Sequence, residues 1–177
     1  DEVILANRAA ALKALEYRGF LEEELANIWS TRGNEYFLRE RAEDIAWHTE
    51  AIADHNASEG ALVLVRQASE SPIGNATQIF VLTRDEPNTF ARICAQLEIM
   101  DLSIHDARIY SDIDGSTLDT FFVLQSDGSS LENHPDTFRE IKRAIQRSLT
   151  QSELRAVTRH TPRTMKAFTI PTEIQVY

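Results

Sequence analysis

The chain has 177 residues, 42% of them hydrophobic, enough for one domain with a real core plus a small helical appendage but not for three independent domains. Eighteen basic against 28 acidic residues leave a net charge of −10, and a surface of that sign repels phosphate backbones and anionic leaflets, which argues against nucleic-acid and membrane partners. No apolar run approaches the roughly 20 residues of a bilayer span, and the first five residues lack the basic start of a signal peptide, so a soluble, cytoplasmic chain is expected.

From residue 2 to 17, Leu5, Ala9, Leu12 and Leu15 recur near a 3.6-residue period, and Gly19 follows as a stop, which predicts an amphipathic helix. A second short helix carries Leu21, Leu25, Ile28 and Trp29 on one face. A third, over about 41–55, carries Ile45, Trp47, Ile52 and Ala53. Asn56, Ser58 and Gly60 end the helical part, dividing the chain into a helical segment, 1–57, and an α+β domain, 58–177.

The pattern then changes to strands at 61–65, 78–83, 103–109 and 118–125, rich in β-branched and aromatic residues. Asp114-Gly115 predicts a hairpin between the last two. One helix is expected over about 87–100, capped by Asp85, with Phe90, Ile93, Cys94 and Leu97 inward. Another is expected over about 135–149, opened by Pro135, with Phe138, Ile141, Ile145 and Leu149 inward. A last strand over 168–177 alternates Ile170, Thr172, Ile174 and Val176 on one face, with Pro171 suggesting an edge or a strand start.

From residue 78 onward the order is strand, helix, strand, strand, helix, strand, the ferredoxin-like βαββαβ sandwich. The 61–65 strand is extra, and it competes with 168–177 for the place beside 78–83. Two runs, Ile79-Phe80-Val81-Leu82 and Phe121-Phe122-Val123-Leu124, are apolar on both faces, whereas a two-layer sandwich covers only one. The helical lead-in, a second copy or a further domain must cover the other face.

Local signatures of catalysis are weak. Cys94 falls at helical spacing with Phe90, Ile93 and Leu97, which marks a structural thiol, and as the single cysteine it has no internal disulfide partner. His105-Asp106 lies on a strand, where consecutive side chains point to opposite faces, so it is not expected to ligate a metal jointly. Asp112-Ile113-Asp114 lacks the Gly-Ser phosphate loop of a nucleotidyl-transfer site, and the stretch 112–119 lacks the later carboxylates of a calcium loop, leaving a hairpin turn. More informative is the junction 83–90, where a strand end and a helix N-terminus place free backbone N–H groups suited to a carboxylate.

The sequence Asp85-Glu86-Pro87-Asn88-Thr89-Phe90, followed by Leu102-Ser103-Ile104-His105-Asp106-Ala107-Arg108-Ile109, resembles an ACT domain, a ferredoxin-like module that senses amino acids. Five ordered motifs narrow the likeness: Tyr36-Phe37-Leu38-Arg39, Ile45-Ala46-Trp47-His48-Thr49, the 104–109 run, Leu118-Asp119-Thr120-Phe121 and Phe168-Thr169-Ile170-Pro171-Thr172. In this order they resemble the family of bifunctional PII uridylyltransferase/uridylyl-removing enzymes over nearly the whole chain.

The resemblance implies that the chain is a piece of a longer protein. Nucleotidyltransferase and phosphohydrolase domains would precede it and a second ACT domain would follow. The start at Asp1 and the stop within an alternating stretch carry the same expectation. No catalytic residue, metal site or cofactor is then expected here, and magnesium would belong to the catalytic domains. The implied partners are glutamine, a second ACT domain or another copy across the open sheet face, and the PII protein through the catalytic domains. An amino acid would sit between Thr83, Asp85 and Asn88 of one domain and Ser103 and Ile104 of a partner. Asn88 stands where such domains usually have glycine.

Overall fold

The computed structural model describes residues 2–68 and 70–155. Four helices come first: α1 (Glu2–Tyr17), α2 (Glu22–Trp29), α3 (Asn34–Arg39) and α4 (Ala42–Asp54). Three were expected. The additional α3 is only six residues long and too short to show a period, yet it buries Tyr36 and Phe37. A single 3-10 turn, Ala57–Glu59, leads into β1 (Leu62–Gln67) and β2 (Thr77–Arg84). The rest is α5 (Thr89–Ile99), β3 (Leu102–Ser111), β4 (Ser116–Gln125) and α6 (Pro135–Arg155). No helix among the described residues is long and apolar enough to cross a membrane.

The four strands form one antiparallel sheet in the order β1-β2-β4-β3. From β2 to α6 the elements follow the ferredoxin-like, ACT-type path. The edge beside β2, which the fold gives to its closing strand, is held by β1, with Leu62 opposite Leu82 and Gln67 opposite Thr77. The expected strand over 168–177 lies outside the described residues.

The sheet face that was expected to be open is covered by the chain's own lead-in. Leu62, Phe80, Tyr110 and Leu118 share a core with Ala11, Leu15, Leu25, Trp29, Tyr36, Phe37 and Ile45 of the four helices. The opposite face packs Val63, Ile79, Val81, Phe121 and Val123 against Ile93 and Leu97 of α5 and Ile141, Ile145 and Leu149 of α6. The molecule is therefore three layers deep around its sheet. That is why β2 and β4 are apolar on both faces: each successive side chain enters one core or the other. Trp29 and Phe37 meet edge to face at 5.5 Å, and Asn7 donates to the carbonyls of Phe37 and Glu40, fixing α1 to the end of α3.

A β-bulge sets which β3 side chains meet the lead-in. Ile104 pairs with Val123 but Asp106 pairs with Phe122, so His105 is the unmatched residue. One inserted residue reverses the faces of all that follow it. Arg108 and Tyr110 are thereby turned toward the helices, and Ala107 and Ile109 toward α5. His105 itself is exposed.

Buried polar groups sit between the lead-in and the sheet in three sets. Asp44 of α4 accepts from Arg66 of β1 and from Gln78 of β2, the latter at 3.1 Å, while the Arg66 guanidinium lies 3.8 Å from the centroid of the Trp47 ring. Glu40 accepts from the Tyr110 hydroxyl at 2.7 Å and from Arg108 at 3.3 Å. Arg32 forms a buried ion pair with Asp112 at the β3–β4 turn. Each carboxylate is matched by a charged or hydrogen-bonding group on the facing layer, as burial demands.

Candidate functional site

The turn from β2 into α5 differs from its sequence-based reading in one respect that matters for the site. Asp85 does not cap the helix. The N-cap is Asn88, with φ 69° and ψ 11°, and its side chain makes no capping hydrogen bond. Thr89 N–H donates to the Glu86 carbonyl at 3.2 Å, so 86–89 has the closing bond, the proline at the second place and the left-handed third residue of a type II turn. Pro87 thus serves the turn and not the first helical position. A left-handed conformation favours glycine and, among the other residues, asparagine, which accounts for Asn88 here. Asp85 is held instead by its backbone, whose N–H donates to Gly115 of the neighbouring hairpin at 3.0 Å.

Beside this turn lies an open depression of about 600 Å³, walled by Asp85, Asn88 and Phe90, with Ile109, Thr117 and Asp119 of the sheet below. Phe90, expected to point into the core, is 44% exposed and lies against Phe121 with ring centroids 5.7 Å apart. Asp119 is only 2% exposed and accepts a 2.6 Å hydrogen bond from the Thr117 hydroxyl. Burial pushes its carboxyl above the ordinary aspartate range, the Thr117 bond opposes that, and the charge of Asp85 adds to it. Cys94 is partly buried, and burial, followed by the charge of Asp119, raises its thiol. That is the reverse of an activated nucleophile.

Of the five expected ligand-binding residues, the structure brings Asp85 and Asn88 together in this depression. Thr83, near the end of β2, lines a neighbouring cleft instead. Ser103 and Ile104 lie at the other end of the sheet. Thr83 is opposite Thr117 on β4 whereas Ser103 is opposite Leu124, seven residues away, or roughly 23 Å along a strand. Within one chain the two sets do not meet, so a site using both needs a second sheet.

The Asp112-Ile113-Asp114 segment is the hairpin expected of it. Asp112 N–H donates to Ser116, Gly115 N–H donates to Asp112, and Gly115 has φ 80°. Among the described residues no group of three or more His, Cys, Asp or Glu side chains is placed to hold a metal ion. Sequence reasoning missed the buried Asp119, Glu40, Asp44 and His48. The available signal was a charged or polar residue inside an otherwise apolar run, as in Leu118-Asp119-Thr120-Phe121.

The sheet order, the α5 turn and the two flanking helices define an ACT-like domain joined to a helical lead-in. Residues 71–150 match a family model described as the ACT-like domain of plant bHLH transcription factors, and residues 1–51 match one described as the uridylyltransferase GlnD fifth domain. Over its full length the chain is 35% identical to a bifunctional uridylyltransferase/uridylyl-removing enzyme of Stutzerimonas stutzeri, covering 20% of that protein. It is also 35% identical, over 99% of the chain, to the enzyme of that name from Azotobacter vinelandii, again covering 20% of it. Along its whole length the chain is similar to one part of these bifunctional enzymes, and it spans about a fifth of the length of the curated relatives it matches. No solved structure matches it.

Proposed function

We propose that this chain is a regulatory, amino-acid-sensing region of a bifunctional PII uridylyltransferase/uridylyl-removing enzyme, with glutamine as the amino acid. In the whole protein, UMP from UTP would be added to the PII nitrogen-signalling protein when glutamine is scarce and removed when it is abundant, by catalytic domains outside this chain. The chain itself then carries no catalytic step. Its part is to bind the effector and to pass the binding energy to the rest of the protein.

The observation that carries this reading is the β2–α5 turn. Asn88 holds a left-handed turn beside a depression floored by the buried carboxylate of Asp119. Asp85 and Asn88 would supply polar contacts from this sheet. Ser103 and Ile104 would come from the sheet of a partner domain, since they lie at the far end of their own. A purely structural role, docking a second copy across a bare sheet face, has less support because the lead-in occupies that face.

Isothermal titration of L-glutamine into the chain tests the proposal. A saturable heat is expected, with stabilisation of about 2.7 kcal/mol at a hundredfold excess over the dissociation constant. The absence of heat, together with dimerisation that depends on concentration alone, would favour the structural role.

A further inference from the structure

The β2–α5 turn is a wall with a hollow on each side, and the second hollow is built differently from the first. It is a cleft of about 550 Å³ between the helical lead-in and the sheet domain, within the ~300–1,000 Å³ of ordinary small-molecule sites. One side is formed by the end of α2, the end of α4 and the 3-10 turn. The other is formed by the end of β2, the start of α5 and the β3–β4 hairpin.

Arg84 and Arg92 both line this cleft, and neither guanidinium has an ion-pair or hydrogen-bond partner among the described residues. In a chain with ten more acidic than basic residues, two unpaired guanidinium groups in one cleft are uncommon, because nearby carboxylates ordinarily claim them. Arg32, also in the lining, is taken up by Asp112. The same walls carry the carboxylates of Glu59, Glu86 and Asp114, which would repel a phosphate group carrying two charges. A ligand with one carboxylate and one ammonium group suits both sets of charges.

We propose that this cleft binds a free α-amino acid, its carboxylate held by Arg84 and Arg92 and its ammonium by Glu59. The proposal rests on the amino-acid-sensing reading and adds a site separate from the Asp85–Asn88 depression. A ligand here touches the lead-in and the sheet domain together, so its binding energy opposes their separation. The cleft thereby acts as a clasp between the two.

Titration calorimetry on the 177-residue chain tests this with L-glutamine, a panel of the other amino acids and inorganic phosphate as probes. The R84Q/R92Q pair should weaken amino-acid binding at least about tenfold, since each substitution removes a charge-assisted hydrogen bond to the ligand carboxylate. R84K/R92K should recover part of it, and E59Q should weaken binding severalfold. Arg84 is exposed, and an unchanged circular dichroism spectrum checks that the variants fold. Amino-acid binding that is unchanged in R84Q/R92Q overturns the cleft but leaves the sensing reading standing, with the depression as its site. Phosphate binding more tightly than every amino acid overturns the choice of ligand. If neither amino acids nor phosphate bind, the cleft and the sensing reading fall together. Binding of an amino acid other than glutamine through Arg84 and Arg92 supports the cleft and removes glutamine as the effector.

Discussion

Asn88 holds a backbone conformation that costs an ordinary L residue about 1–2 kcal/mol. Asn88→Gly should leave stability unchanged or raise it by up to about 1 kcal/mol, whereas Asn88→Val should lower it by at least about 1 kcal/mol. Urea unfolding of both variants checks this, and a valine variant as stable as the parent would contradict the assigned turn. The buried Arg32–Asp112 pair gives a second prediction. Asp112→Asn leaves a guanidinium buried without its counter-charge and should cost about 3–5 kcal/mol in the same assay. Residue-scale features were only partly legible in the sequence. Asn88 stood out as a departure from glycine, but Asp85 was misread as a cap. An aspartate two residues before a proline serves a helix start and a turn equally well, and only the Thr89-to-Glu86 bond decides between them.

His48 makes α4 the element most sensitive to pH. It is fully buried and stacked on Phe80 at 3.8 Å, and its Nδ1 and the Tyr36 hydroxyl are hydrogen-bonded at 2.9 Å. Burial first, and then the charges of Arg66, Arg32 and Arg108, hold its pKa well below the ordinary histidine value of about 6.5. The unfolded chain therefore takes up the proton before the folded one does. Stability from this group is complete above about pH 6.5 and falls as pH drops through and below it, by at most about 1.4 kcal/mol per pH unit. Glu40 and Asp119 act in the opposite sense. Burial raises their folded pKa, so their contribution is fully present at low pH and is lost as pH rises through that value. The difference between the parent chain and His48→Gln isolates the histidine. Denaturant unfolding at pH 5 to 7 should show a smaller loss on acidification in the variant, and identical slopes would contradict the burial of an uncharged imidazole.

At this scale the strands and the long helices were readable from period and turn chemistry, and the doubly apolar runs of β2 and β4 announced a second covering layer. The bulge at His105 was not legible. Nothing in Ile104-His105-Asp106 marks an inserted residue, and the reversal it imposes is what brings Arg108 and Tyr110 to Glu40.

The whole molecule is a sheet clamped between two helical layers, and the lead-in layer is tied to it by apolar packing and by three buried polar sets. Which of the possible covers lay on the second face was not decidable from the strands, because an apolar face is equally satisfied by a helix, a copy or another domain. The lead-in carries both tryptophans of the chain, Trp29 on α2 and Trp47 on α4. A ligand held at the sheet domain can therefore be read from reporters in the other layer. The most direct measurement is thermal unfolding followed by tryptophan fluorescence at rising L-glutamine concentration. If the chain senses glutamine as a single coupled body, the fluorescence transition rises with glutamine and coincides with the transition seen by circular dichroism. A fluorescence midpoint that does not move at any glutamine concentration would contradict the account.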